Sequence, residues 1–357
     1  MRVLFLPIGN IDMASSRVRV YQYLEPLQRQ GIESKTVTLD GVGIVSRFTY
    51  TCRVLAQAPL YDVVYIQKRL LPRQFLRLLR LMNPHIVFDF DDAVFTLNPY
   101  ETMNMESEEI RRAEKAISAK MATTLRLCRH IVVGNTYLGD YAEQYNPFVS
   151  IIPTCIDLDS FKPLLSARQR SETVIGWVGT GEQHLVHLEL LRSPLERVGQ
   201  RHNITFRVIG VMGSTKMIEY LRSIRYVSVQ TVDWIHPEQV PDEIGRFDIG
   251  VMPLVDNAWT RGKCGLKALE YMAMDVVPVC SPVGVNSDII YQGDNGFLAS
   301  TADEWEYALE FLIEHPIERK EIGKRARAVV ESSYSTAIAI KKLLQVFEQV
   351  TGRKMAR

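Results

Sequence analysis

Short runs rich in β-branched residues recur through the whole chain, each followed by a stretch with helical spacing. This alternation leaves few folds open: parallel strands need helical crossovers, and the helices then cover the sheet. In the first half the runs are Arg2–Pro7, Ser34–Leu39, Val63–Gln67, Ile86–Phe90, His130–Val133 and Val149–Ile152. In the second half they are Thr173–Val178, Thr205–Gly210, Val227–Val232, Ile249–Pro253, Val276–Cys280 and Asn295–Ala299. Each set is enough for one doubly wound domain. The intervening PTCIDLDSFKPLLSARQRSET has two prolines and no clear period, which marks a linker. The expected class is therefore α/β, with two Rossmann-like domains over residues 1–160 and 172–335 and parallel sheets facing across a cleft. Beyond Asp303 the pattern is mostly helical, ending in an amphipathic stretch from Thr336 to Val350.

Several function classes drop out early. Forty-two Lys and Arg residues against 41 Asp and Glu leave a net charge of +1, whereas a general nucleic-acid binder needs basic excess to neutralise phosphates. No run approaches the ~20 apolar residues that span a bilayer. The opening MRVLFLPIGN is cut by Pro7 and Gly9 and reads as a strand, not a signal peptide. Five scattered cysteines without CxxC spacing suggest neither a disulfide framework nor a zinc site, and fit a reducing cytoplasm.

The strongest chemical signal lies between residues 248 and 290. A strand ends at Pro253, a polar loop follows, and a helix opens near Gly262, Cys264 and Gly265. A helix start offers backbone N–H groups and the positive end of a dipole, which together suit an anion. Arg261 and Lys263 at that mouth would add full charges for a diphosphate. Lys267 and Glu270, three residues apart, share one helical face. A carboxylate at Glu270 could accept both hydroxyls of a ribose; the bland alternative is solvated loop charges and a surface Lys267–Glu270 pair.

The fragment GLKALEYMAMDVVPVCSPVGVNSDII resembles the donor-binding signature of retaining, GT-B-fold glycosyltransferases of glycosyltransferase family 4. The resemblance implies that Glu270 holds the nucleotide ribose and that amides of Cys264, Gly265 and Leu266 hold the diphosphate. The family's first acidic residue, which commonly touches the donor sugar, is replaced here by Gly262, in a Gly-Lys-Cys-Gly run similar to that of one sub-group. ASSRVRVYQYLEPLQRQGIE resembles the first helix of such enzymes, with Ser15 and Ser16 as caps and Arg17 or Arg19 at the cleft. VIGWVGTGEQHLVHLELL is similar to the segment that opens the donor domain and adds Gly179 and Thr180. The Arg and Lys common after that turn are Glu182, Gln183 and His184 here, so the cationic duty moves to Arg261 and Lys263. His184 and His187 read as surface or helix-cap residues. Asp256, Asn257 and Trp259 belong to the loop ahead of Arg261.

A second cluster ends the run IVFDFDDAVF. Alternation puts Asp89 and Asp91 on one side of the strand and Asp92 at the turn. Carboxylates so close need a cation, a basic partner or raised pKa values. One reading is a haloacid-dehalogenase-type phosphohydrolase, which the string resembles, with Asp89 and Asp91 around Mg²⁺. The favoured one is that Asp91 and Asp92 stand where family 4 enzymes often carry a His-Asp pair, as catalytic residues near the donor sugar or the acceptor. A third is a structural cluster paired to Arg or Lys.

From Arg69 to Met82, Arg69, Arg73, Arg77 and Arg80 form a basic stripe beside an apolar one. This is either an ordinary surface helix or a patch for anionic lipid; a second basic helix runs from Arg111 to Arg129. The resemblance implies a nucleotide-sugar donor and an acceptor that is lipid-linked or a polysaccharide, with no nucleic acid partner. It also implies retention of configuration, no metal cofactor, and a final helix of about 336–357 packed on the first domain. The expected place is the cytoplasm, with peripheral contact at the inner membrane face. The rival from another class is a nucleotide-sugar-binding paralogue without activity.

Overall fold

The structure is a computed structural model that describes residues 1–39, 41, 43–100, 102, 105–163 and 172–354. The expected linker falls in part on 164–171, outside the described residues, as do the last three positions of the expected final helix. The chain forms two compact units. The first contains Met1–Thr154, Arg261–Cys264 and Thr336–Arg357; the second contains Cys155–Thr260 and Gly265–Ser335. The expected division assigned Arg261–Cys264 to the second domain; the contacts group this tetrapeptide with the first.

The first unit is built on six parallel strands: β1 (Arg2–Leu6), β2 (Glu33–Thr36), β3 (Val63–Gln67), β4 (Ile86–Phe90), β5 (His130–Val133) and β6 (Val149–Ile151). Their order is β2-β1-β3-β4-β5-β6. The central VVYIQ, IVFDF and HIVV are buried at every position, as expected of strands covered on both faces. The edge strand ESKT alternates exposed and half-buried residues and carries charge, which discourages edge pairing. Helices Ile44–Gln57, Arg73–Met82 and Ser107–Leu127 lie in sequence beside one another. Helix Thr336–Thr351 packs on helix Gln22–Arg29 and β3, where Phe347 meets Tyr65 edge-on at 6.2 Å. The strand order changes direction between β1 and β3, and crevices at such points receive ligands at the strand carboxyl ends.

The second unit repeats the plan with β7 (Thr173–Val178), β8 (Ile204–Ile209), β9 (Ser228–Val232), β10 (Ile249–Met252), β11 (Val277–Cys280) and β12 (Phe297–Leu298). The order β12-β11-β10-β7-β8-β9 is the dinucleotide-fold order, with its reversal between β7 and β10. Those two strands pair only at Ile249 with Ile175 and at Gly250 with Gly176. Past that point Tyr271 fills the gap. Its buried hydroxyl accepts from the Val178 N–H at 3.2 Å and donates to the Val251 carbonyl at 3.3 Å. All twelve expected strands are present, with ends moved by at most three residues. Among the described residues no disulfide forms; Cys52 is exposed and the other four cysteines are buried. No helix among them is long and apolar enough to cross a membrane.

Candidate functional site

The densest charge in the first unit lies at the carboxyl ends of β3 and β4. Parallel neighbours bring the residues that follow each strand side by side, so Lys68 lies beside Asp91 and Asp92. The Lys68 ammonium contacts Asp92 and sits 3.3 Å from Asp91 Oδ1. Its backbone is left-handed (φ 61°), and its N–H donates to the Asp89 carbonyl at 2.7 Å. A lysine in that region carries strain, which usually persists where surrounding contacts over-determine it. Ser15 Oγ donates to the Asp91 carboxylate, at 2.7 Å from Oδ2, and accepts from Gln67 Nε2 at 2.8 Å. Gln67 Oε1 in turn accepts from the Ile8 N–H at 2.9 Å. The loop after β1, the end of β3 and the end of β4 are thus tied through one amide and one hydroxyl.

Beneath this layer Arg19 and Asp89 form a fully buried ion pair. Arg19 Nε donates to Asp89 Oδ2 at 3.0 Å, a second nitrogen reaches Oδ1, and a third donates to the Ile152 carbonyl at 2.6 Å. Burial opposes both charges, but Asp89 holds the guanidinium well above its ordinary range, while burial lifts the Asp89 carboxyl despite Arg19. At Asp91 burial is outweighed by Lys68, Arg19 and the Ser15 hydroxyl, so the carboxyl is held below its usual range. At Lys68 burial is likewise outweighed, by Asp91 and Asp92, and the ammonium stays charged.

The tetrapeptide Arg261–Cys264 adds to this cluster. Cys264 Sγ donates to the Asp91 carbonyl at 3.1 Å. Asn135 Nδ2 donates to the carbonyls of Gly262 and Lys263, each at 3.2 Å. Lys263 Nζ lies 3.9 Å from Asp92 Oδ1, while Arg261 is exposed. A Cβ on residue 262 would sit 2.6 Å from the Ala93 nitrogen. Close packing therefore explains glycine where the resembled enzymes carry an acid. Burial pushes the Cys264 thiol far above its ordinary value, so it acts as a neutral donor.

Three arginine and lysine side chains thus answer three carboxylates. Arg19 pairs with Asp89 and Lys68 with Asp91, so both carboxylates of the Mg²⁺-phosphohydrolase reading already answer protein cations, which disfavours it. A different group has spacing compatible with a metal: His202, Glu310 and Glu314. It lies at the amino end of β8, and Arg201 Nε already donates to Glu310 at 2.8 Å.

In the second unit, helix Leu266–Ala273 follows Gly265, whose φ of 69° is the left-handed region. A Cβ there would approach Ile289 Cδ1 to 2.6 Å, so glycine is required on both counts. Glu270 is buried in the second turn, and Lys267 lies over the Trp177 ring at 5.6 Å from its centroid. The Gly179 N–H donates to the Ile209 carbonyl at 3.0 Å, and Thr180 is exposed at the end of β7. Asn257 caps the turn Ala258–Arg261, its Oδ1 accepting from Trp259 and Thr260 N–H groups at 3.0 and 2.9 Å. Thr260 returns its hydroxyl to the Val255 carbonyl at 2.7 Å.

Several expectations need correction. Ser15 and Ser16 are not caps: Met13 holds the N-cap position, and both hydroxyls serve side chains and backbone of neighbouring segments. Arg19 lies in a π-helical turn, Arg17–Tyr21, where Gln22 N–H bonds back to the Arg17 carbonyl. The extra residue rotates Arg19 inward, whereas Arg17 is half-buried and its guanidinium reaches the Asp12 carbonyl at 3.4 Å. Arg69 is not on the basic helix, which begins at Arg73 after Pro72; it donates to the Ile8 carbonyl at 2.6 Å. His187 is buried, not superficial, and its Nδ1 accepts from the Val255 N–H at 3.1 Å.

Residues 172–315 match the family described as Glycosyl transferases group 1. No curated protein sequence matches the chain. Among solved structures, sucrose-phosphate synthase from Thermosynechococcus elongatus is similar at TM-score 0.76 and 14% identity, covering 99% of both chains. HepE from Anabaena, solved with UDP and glucose, gives 0.70 at 13% identity, over 98% of this chain and 100% of its own. The catalytic domain of starch synthase IV from Arabidopsis thaliana, bound to ADP and acarbose, gives 0.71 at 12% identity over 99% of each. At these identities the likeness speaks to the fold, two Rossmann-like units of the GT-B class.

Proposed function

We propose that this glycosyltransferase, which carries a Glycosyl transferases group 1 domain over residues 172–315, moves a sugar from a nucleoside-diphosphate sugar to an acceptor hydroxyl with retention of configuration. The observation that carries the reading is the buried carboxylate of Glu270 in the second turn of helix Leu266–Ala273. A carboxylate has acceptor capacity for several hydrogen bonds, and at this place in the helix it can accept from the two hydroxyls of a ribose. The first N–H groups of the helix point out of its start and suit the diphosphate. Lys267, Gly179 and Thr180 complete the donor contacts, and Arg261 and Lys263 supply positive charge.

In the reaction the bond between the anomeric carbon and the phosphate oxygen breaks, and its electron pair leaves on the nucleoside diphosphate. The acceptor oxygen bonds to the same face of the sugar and passes its proton to the departing phosphate oxygen, which has gained the electron pair. Charge builds on the departing phosphate, where preorganised N–H groups and cations stabilise it more than the ground state. No metal is needed if those groups carry that charge. Asp91 and Asp92 act at the acceptor and donor-sugar end. Ser15 and Lys68 hold Asp91 ionised and fixed, so it can orient a hydroxyl but is a poor base until the acceptor displaces a partner. The acceptor is a glycoconjugate of the cell envelope or a polysaccharide.

Calorimetry with UDP, GDP and ADP, followed by turnover of the corresponding sugar nucleotides in the presence of EDTA, tests the reading. Nucleotide binding that Glu270→Ala weakens at least tenfold, with EDTA-resistant turnover, is expected. Nucleotide affinity indifferent to Glu270→Ala removes the ribose assignment. Binding without turnover of any donor favours the rival, a nucleotide-sugar-binding protein.

A further inference from the structure

Charge is segregated along this nearly neutral chain. Residues 41–88 hold seven arginine and lysine side chains and a single acid, Asp62, so the remainder is net acidic. Asp62 is already engaged: it accepts from Arg353 at 2.6 Å and from the Arg2 N–H at 2.7 Å. Neither helix of the stretch, Ile44–Gln57 or Arg73–Met82, contains an acidic residue. The same helices expose large apolar side chains: Ile44 is 87% exposed, Val45 78%, Phe48 69% and Leu81 82%, with Leu78 and Met82 near half.

The two helices are neighbours on one side of the first sheet and run in the same direction. Ahead of the second helix, the Arg69 guanidinium lies over the ring of Tyr50, midway along the first, at 5.3 Å. Near their ends Asn83 donates to the carbonyls of Ala58 and Tyr61 at 2.9 and 2.8 Å. Their outer surface therefore carries Ile44, Val45 and Phe48 at one end, Leu78, Leu81 and Met82 at the other, and Arg47, Arg73, Arg77 and Arg80 along it. Exposed apolar groups on this scale cost free energy in water unless something covers them. Nucleic acid would answer the arginines and leave the apolar tips in water. A bilayer of anionic lipid satisfies both, with headgroups meeting the arginines and the acyl boundary receiving the apolar tips.

We infer that the paired helices Ile44–Gln57 and Arg73–Met82 dock the protein on an anionic lipid bilayer. The docking stands apart from the proposed chemistry. Helix Ile44–Gln57 begins at the strand-carboxyl edge of the first sheet, the edge that carries Asp91 and Asp92. An acceptor anchored in that bilayer is the class such a placement serves, a consequence that does rest on the proposed function.

The test is co-sedimentation of the full chain with vesicles of phosphatidylcholine, with and without phosphatidylglycerol, at low and high salt. Sedimentation only with the anionic vesicles, reversed by salt, is expected. Arg77→Gln should lower the partition coefficient roughly fivefold, the worth of one cation near such a surface. Phe48→Ser and Leu81→Ser should lower it at every salt concentration. All three positions are on the surface, and a thermal melt checks that each variant folds as wild type. A chain that stays in the supernatant with both vesicle types overturns the inference. So does wild-type partitioning by all three variants, or retention on heparin without sedimentation on vesicles.

Discussion

The thiol of Cys264 donates to the main-chain carbonyl of Asp91, 173 residues away in sequence, at 3.1 Å. The contact is tight enough to leave no space opposite it: a Cβ on Gly134 would collide with the same sulfur. Gly134→Ala should therefore lower stability by about 1–3 kcal/mol, the usual cost of overpacking. Cys264→Ala makes room, so the double variant should lose less than the two single losses added together. Urea denaturation of the four proteins gives the coupling directly, and strict additivity would mean the two residues do not share that space.

Lys68→Met should be among the most damaging single changes. It strips the compensating charge from two carboxylates while leaving them enclosed, which typically costs about 3–5 kcal/mol. Because Asp91 is held ionised against the effect of burial by Lys68, Arg19 and Ser15, its carboxyl should rise without the ammonium. Acidification then relieves the variant, so its deficit relative to wild type should shrink as pH falls from 7 toward the carboxylate range. A deficit independent of pH would place the cost in packing instead.

His130 in β5 bonds Ser150 Oγ at 2.9 Å, and burial followed by the Arg129 charge lowers its pKa from 6.5 to about 4. The folded protein keeps this imidazole neutral while the unfolded chain protonates it. Between pH 6.5 and about 4 the unfolded state binds more protons, so stability must fall as pH falls through that window. Replacing the ring by glutamine removes this titration, and the slope of stability against pH should flatten there. The comparison requires urea melts of wild type and His130→Gln at pH 7, 6 and 5.

Tyr271→Phe deletes the hydroxyl that bridges Val178 and Val251 where β7 and β10 part. It leaves a main-chain N–H and a carbonyl in a dry place with nothing to replace the partner. A loss of about 1–3 kcal/mol is expected, read as a lower midpoint in urea at unchanged slope. Amide exchange at Val178 should accelerate more than at Ile175, where the strands still pair.

Gly265→Ala forces a side chain into a left-handed backbone and against Ile289. Both stability and nucleotide affinity should drop, since the start of helix Leu266–Ala273 must shift to accommodate it. Titration of the folded variant with UDP separates the two effects: an unchanged dissociation constant would detach the helix start from nucleotide binding.

The two sheets were legible because strands such as VVYIQ and IVFDF are buried on both faces and read as unbroken apolar runs. The ends of those strands were legible for the same reason, which is why Asp91 and Asp92 drew notice. Lys68 did not, although it follows the adjacent strand as Asp91 follows its own; pairing the termini of neighbouring runs would have exposed it. Arg19 was expected at the cleft; its burial escaped because a wheel drawn with 3.6 residues per turn cannot represent a π-helical turn, and the one added residue carries that side chain from the surface to the interior. Asn135, Gly134 and Cys264 meet only through the fold, and nothing local in sequence announces the meeting. The serines were misread because Ser followed by a helical pattern is the usual mark of a cap, whereas here their hydroxyls answer Asp91 and Gln67.

The return of helix Thr336–Thr351 to β3 also bears on how the protein is made. On the ribosome, the first sheet emerges early but stays uncovered along one flank until that helix is synthesised. The second unit, apart from the excursion through Arg261–Cys264, can close beforehand. Truncated chains that end just before Thr336 should therefore hold a protease-resistant second unit beside a first unit that is still digested, inverting the order in which the two were translated.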